Sequence, residues 1–171
     1  PSFSASRRTA EPMELLHAVV GPLATNVYVL GYERSREAIA IDTTIPCLEW
    51  IVDELEDRGW TLKLIVNTHG HWDHMSANAE VQAHTGAQIA IHPDDRYRLL
   101  RPDPISAPFE IPPSVPAVDL AEGGEVRFGE IRLQVLHTPG HTEGSVCLLS
   151  AEDGLLFSGD TLFQGGWGRT D

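Results

Sequence analysis

A chain of 171 residues with 42% hydrophobic and 22% charged residues can build one globular domain with a real core, which excludes disorder as its default state. Twelve Lys and Arg against 25 Asp and Glu leave a formal charge of -13, so the average field repels phosphate backbones and anionic membrane surfaces. No run of about 18 apolar residues is present to span a bilayer.

The first twelve residues, PSFSASRRTAEP, read as a disordered leader or an expression remnant. The apolar stretch behind their Arg pair is brief and broken by Glu14 and His17, a poor signal-peptide core, and Met13 is a plausible native start. One domain is then expected over residues 13–171. TNVYVLG (25–31) and EAIAID (37–42) are rich in β-branched and apolar residues, and the turn-like YERSR between them predicts a hairpin. From Pro46 to Arg58, Leu48, Ile51, Val52 and Leu55 keep helical spacing, with Pro46 near the first turn and Gly59 after the last. LKLIVN (62–67) is a nearly continuous apolar run, the pattern of a strand covered on both faces.

THGHWDH (68–74) follows that strand as a strand-to-helix loop, and SANAEVQAHTG (76–86) reads as a helix ending at Gly86. IAIHP (89–93) is a further strand, followed by a short polar helix. The proline-rich stretch 102–116 reads as a loop able to cover a site. EVRFGEIRLQVLHTPG (125–140) predicts a hairpin turning at Gly129, and SVCLLS (145–150) and GLLFSG (154–159) are strands. Strands alternating with helices place the chain in the α/β class.

Cys47 and Cys147 are far apart and lack metal-ligand spacing, which points away from a disulfide framework and toward a reducing cytoplasm. Cys47 stands near a helix start, where a thiolate is favoured, although a buried small residue is the better reading.

Three short stretches hold most of the good metal ligands, and each follows a strand: THGHWDH, HTPGHT (137–142) and SGDTLF (158–163). Loops at strand ends are where such sheets place their chemistry. A chance HxHxDH in this composition has odds on the order of one in a thousand. In an extended segment residues i and i+2 project to one side, so His69 and His71 can chelate one ion. Asp73 and His74, past the bend, can face a neighbouring ion. Imidazole and carboxylate donors without thiolate suit Zn, Mn or Fe.

The remaining candidates have plainer readings. His17, His84 and His92 occur singly in strand or helix patterns and read as surface or hydrogen-bonded core histidines. His137 shares a loop with His141 and reads as a ligand, a donor behind a ligand, or a strand-end residue. Asp160 alone would be a turn residue, and the recurrence of strand followed by ligand lifts it and His141 above that. Asp42, ending a strand before Thr43 and Thr44, reads as a structural residue holding loop backbone, and Trp72 as packing.

Taken in order, THGHWDH, HTPGHTEGS, FSGDTLF and GRTD resemble the metallo-β-lactamase superfamily, and more narrowly its glyoxalase II-like (hydroxyacylglutathione hydrolase-like) branch. The resemblance covers residues 13–171 and is more specific for superfamily than for substrate. It implies a four-layer αββα sandwich with a metal site at one edge of the sheets, here lacking its last helix and strand elements. It further implies that His69, His71 and His141 bind one metal, that Asp73 and His74 bind a second, and that Asp160 bridges them. The β-lactamases of the superfamily usually carry a non-His residue after the motif's Asp and a Cys ligand in the later loop. His74 and Asp160 stand at those places here, which counts against antibiotic hydrolysis. The family also continues past GRTD to a last His that completes the second site, whereas this sequence ends at Asp171.

The activity implied is metal-assisted hydrolysis of an ester-like bond, in the first place a thioester of a small acidic thiol conjugate. A metal-bound hydroxide, oriented by Asp73, would be the nucleophile, with one or two Zn ions, or Mn or Fe, as cofactor. Persulfide dioxygenases share the same motifs including GRTD, and would use a single Fe(II) on His69, His141 and Asp160. A third reading is a truncated, non-catalytic metal-binding domain whose uncovered apolar sheet edge takes a partner chain. The oligomeric state, a homo-oligomer included, is left open. A nucleic-acid substrate is disfavoured by the charge of -13.

Overall fold

The computed structural model describes residues 13–103 and 105–170; the expected leader and the last residue of GRTD lie outside them. β1 (Glu14–Val20) pairs antiparallel with β2 (Thr25–Tyr32), and β2 turns back into β3 (Glu37–Ile41), the hairpin expected from the sequence. β1 itself was not expected. Glu14 and His17 interrupt its apolar residues and none of the seven is buried, so the local pattern is weak, and pairing with β2 completes the strand.

α1 (Leu48–Arg58) buries Ile51 and Leu55, carries Glu49 in its first turn and Arg58 in its last, and stops at the left-handed Gly59. β4 (Thr61–Val66) then runs parallel to β3. Ile65 and Val66 are fully buried in different cores, as a strand covered on both faces requires.

The motif THGHWDH is not all loop. Its last three residues open a one-turn helix, α2 (Trp72–Met75), with His71 as its extended N-cap, because one backbone turn there carries Asp73 and His74 back toward the strand end. α3 (Asn78–Thr85) ends at Gly86 as expected, two residues later in its start. β5 (Gln88–Ile91) follows, then a 3-10 turn at Pro93–Asp95 and the short α4 (Arg96–Leu100).

The proline-rich stretch crosses to β6 (Val118–Asp119), a two-residue strand that pairs with β5. The second half is antiparallel: β7 (Glu125–Phe128), β8 (Ile131–His137), β9 (Val146–Ser150) and β10 (Leu155–Phe157). A small hairpin, β11 (Leu162–Phe163) with β12 (Gly166–Trp167), closes the described chain.

One sheet has the order β1-β2-β3-β4-β5-β6 and the other β10-β9-β8-β7. The first packs its outer face against the helices through Cys47, Ile51, Leu55, Val81 and Leu99. Its inner face meets the second sheet through Leu30, Ile39, Val66, Leu133, Val135 and Leu148. The described residues therefore form helix, sheet and sheet layers. By register, Gln134, Leu136, Leu149 and Leu156 share the outer face of the second sheet, and among the described residues no helix packs there. This is the expected sandwich without its last layer.

This topology also makes the site. β3, β4 and β5 are parallel, so the loops after them leave one sheet edge. β8 and β10 both run antiparallel to β9, so their ends share an edge too. The Val146 N–H donates to the Thr68 carbonyl at 2.8 Å, joining the two edges.

Candidate metal centre

The loop after β4 is fixed by Asp42, at the end of β3. Its carboxylate accepts from the Thr68 N–H and the Thr68 hydroxyl, both at 2.7 Å, and lies 3.0 Å from His74 Nδ1. Asp42 has φ +58°, an uncommon conformation for a non-glycine residue that the surrounding bonds enforce. The loop after β10 presses against the same point. Gly159, at φ +48°, is so close that a Cβ there would lie 2.2 Å from Thr68 Oγ1.

Hydrogen bonding decides which ring nitrogens face inward. The Thr68 hydroxyl gives its single proton to Asp42, so it accepts from His69 Nδ1–H at 3.1 Å and leaves His69 Nε2 with a bare lone pair. His141 Nδ1 faces the Arg169 carbonyl at 3.1 Å, and a carbonyl only accepts, so His141 Nε2 is likewise the inward acceptor. His71 Nδ1 lies 2.9 Å from that His141 nitrogen. His69, His71 and His141 thus bring one nitrogen each to a common point, all within 4.8 Å of one another.

A second group forms beside it from His69, His74 and Asp160. His74 Nε2 is 3.1 Å from Asp160 Oδ1 and 3.4 Å from Asp73 Oδ2, while the other Asp160 oxygen lies 3.3 Å from His141 Nε2. Asp160 therefore faces both groups with one oxygen each. Asp73 sits at the rim of the second, where the Thr25 hydroxyl also reaches it at 3.4 Å. All six residues singled out from the sequence meet in one cluster.

Burial pushes the His69 imidazole well below its ordinary pKa, and the neighbouring His74, His71 and His141 push it the same way. His71 is lowered by burial, then by His141 and Arg98. His74 goes the other way: burial lowers it, but the carboxylates of Asp42, Asp160 and Asp73 prevail and hold it up to about 10. Asp160 is raised by burial, yet the hydrogen bond and charge of His74 prevail, so its pKa is lowered.

The donor set fits a divalent metal. His69 Nε2 is buried and has no hydrogen-bond partner, a state that costs about 1–3 kcal/mol for a buried polar group with nothing to bind. His69 and His141, with their outer nitrogens tied to a hydroxyl and a carbonyl, have the usual form of metal-ligating histidine, and His74, tied to Asp42, would release a proton on binding an ion. Beside the cluster opens a cavity of about 720 Å³ lined by Trp72, Tyr97, Arg98, Arg101 and Arg169 among others.

Other expectations resolve differently. His17 and His84 are on the surface, one of the two plain readings the sequence left open for them. His137 donates Nε2–H to the Glu143 carbonyl at 3.0 Å and stacks on His92 at 4.0 Å, away from the six-residue cluster. Trp72 packs edge-on against Phe109 of the proline-rich loop, and that loop does line the cavity. Burial drives the Cys47 thiol up to about 12, so the thiolate suggested by its place at a helix start gives way to the buried residue. Asp95, which the sequence reading passed over, is a fully buried carboxylate between the two histidine loops. Its only sequence signal is a place just after a strand end.

A family model described as "Metallo-beta-lactamase superfamily" matches residues 20–171. The chain belongs to the metallo-β-lactamase superfamily. Within it, the chain is 36% identical over 135 residues to a hydroxyacylglutathione hydrolase of Maricaulis maris, covering 79% of this chain and 46% of that one. It thus spans about half the length of that relative. The solved structure of BLEG-1 B3 metallo-β-lactamase superposes with a TM-score of 0.81 at 32% identity, covering 92% of this chain and 77% of that one. ETHE1 from Myxococcus xanthus superposes with a TM-score of 0.77 at 28% identity, covering 93% and 62%. The family match and both superpositions agree on the superfamily fold. No helix among the described residues is long and apolar enough to cross a membrane.

Proposed function

We propose that this superfamily member is a metal-dependent hydrolase of a small ester-like substrate, in the first place a thioester of an acidic thiol conjugate. The observation that carries the reading is the buried, partnerless His69 Nε2, ringed by His71, His141 and His74. The likeness to the Maricaulis maris hydroxyacylglutathione hydrolase supports the choice of thioester. In this reading His69, His71 and His141 hold one divalent ion, Asp73 and His74 hold a second, and Asp160 serves both. Zinc is the first choice and manganese or iron the alternatives, since the donors are imidazole and carboxylate.

Such an ion supplies Lewis acidity, which lowers the pKa of water from 15.7 toward about 7 and polarises a carbonyl. The chain's own residues supply the rest. Asp73, at the rim toward the cavity, accepts a hydrogen bond from the attacking water and so orients it. Asp42 holds His74, and Thr68 holds His69, in the tautomers that point their Nε2 atoms inward. The cavity lined by Trp72, Tyr97, Arg98 and Arg101 receives a small acidic substrate in the cytoplasm, with no role for nucleic acid or membrane. Free-thiol release from S-lactoylglutathione-type substrates by protein loaded with Zn or Mn tests this. No release at a full metal complement would sink the thioester reading.

The likeness to ETHE1 and one feature of the cluster favour a second reading, a mononuclear-iron persulfide dioxygenase. His69, His141 and Asp160 supply two imidazoles and one carboxylate, a set suited to Fe(II) and O₂. Mononuclear iron with oxygen uptake on glutathione persulfide would decide for it.

A further inference from the structure

The loops carrying His69, His71 and His141 come from different sheets, and one buried side chain ties them together. Asp95 is 0% exposed and ends the 3-10 turn after β5. Its Oδ2 accepts from the Gly70 N–H and from the Thr142 hydroxyl, both at 2.7 Å, and its Oδ1 accepts from the Gly144 N–H at 2.9 Å. Gly70 lies between His69 and His71, and Thr142 follows His141. A single oxygen atom therefore bonds to a neighbour of each of the three histidines.

The surroundings leave no slack. A Cβ on Gly144 would lie 2.8 Å from the Asp95 Cβ and Cγ, and one on Gly70 would lie 2.7 Å from Arg98 Cδ. Arg98 Nε is 3.6 Å from Asp95 Oδ1, compensating the buried charge. Because a carboxylate only accepts, the Thr142 proton points at Asp95. The Ser145 hydroxyl, 2.8 Å from Thr142 Oγ1, then donates to Thr142 and accepts from the Thr142 N–H at 3.0 Å. The result is a chain that donates from Ser145 through Thr142 into Asp95, where the Gly70 N–H converges on the same oxygen from the other loop.

We propose that Asp95 is the positioning residue of the three-histidine site: it sets the separation of the His69–His71 loop from His141, and with it the affinity for the ion. The proposal rests on the metal reading of those histidines. Asp95→Asn keeps the volume but turns a donor toward donors, so at least one of the three bonds is lost. Thr142→Val removes the Thr142 link to Asp95 together with the acceptor of the Ser145 hydroxyl, and Thr142→Ser keeps both.

The test is zinc affinity by competition with a chromophoric chelator, and the visible spectrum of the cobalt-loaded protein, for wild type, D95N, T142V and T142S. Circular dichroism and thermal unfolding of the metal-free forms run alongside. Loss of about 10- to 100-fold in zinc affinity is expected for D95N, an intermediate loss for T142V and recovery in T142S, with an altered cobalt spectrum in D95N. If D95N does not fold, the T142V and T142S pair decides. Folded variants that bind zinc as wild type does and keep its cobalt spectrum, with only a lower unfolding temperature, would overturn the proposal and leave the metal reading intact. A wild-type chain that takes no zinc would overturn both.

Discussion

His74 and Asp42 form a buried pair, with Nδ1 and Oδ2 3.0 Å apart and both side chains at most 6% exposed. The same carboxylate holds the Thr68 N–H and hydroxyl, so one residue at the end of β3 fixes both the strand end and a ring of the second metal group.

Asp42→Ala removes the acceptor from all three buried donors at once. Breaking a buried charged pair by deleting one partner costs about 3–5 kcal/mol. Chemical denaturation of the metal-free protein should show a loss of that order, and an unchanged midpoint would count against the network.

The metal-free protein should be most stable near pH 6–7. His69 and His71 have lowered pKa values, so below about 6.5 the unfolded chain binds more protons and stability falls with falling pH. His74 is held up to about 10, so its contribution is complete below about 6.5 and is lost as pH rises through 10. Denaturant midpoints between pH 5 and 10 should trace a dome. A monotonic rise to pH 10 would contradict the assignment for His74.

Cys47 should resist thiol reagents at neutral pH. It is fully buried, with its pKa pushed up to about 12, so little thiolate exists and none is reachable. Mass spectrometry after brief iodoacetamide exposure should find Cys47 unmodified in folded protein and modified in denaturant. Rapid labelling of the folded form would contradict the burial.

Arg101 lines the cavity and makes no ion pair among the described residues, whereas Arg98 is already paired with Glu143. Arg101→Glu should raise KM for a carboxylate-bearing thioester about tenfold at unchanged kcat, and leave a neutral thioester unaffected. Equal effects on both substrates would remove Arg101 from substrate recognition.

Strands and helices with strong local patterns were legible: the β2–β3 hairpin, α1 with its Gly59 stop, the two-faced β4, and the hairpin at Gly129. The two-residue strands β6, β11 and β12 are too short to carry a period, and β1 is an edge strand with no buried residue, so it shows no clear alternation of buried and exposed positions. The six cluster residues were legible because metal chemistry restricts their types and the strand ends restrict their place. Asp95 was not, since its bonds reach residues 25 to 49 positions away and leave no local spacing to read. Nor was the helical turn inside THGHWDH, whose three-residue reach is shorter than any periodicity window.

The central claim, that these histidines hold a divalent ion, is tested most directly by elemental analysis of wild-type protein purified without chelator, beside His69→Leu. One or two equivalents of divalent metal are expected in the wild type and a large loss in H69L, whose apolar side chain replaces a partnerless buried nitrogen. A folded wild-type chain without metal, or H69L holding the same equivalents, would contradict it.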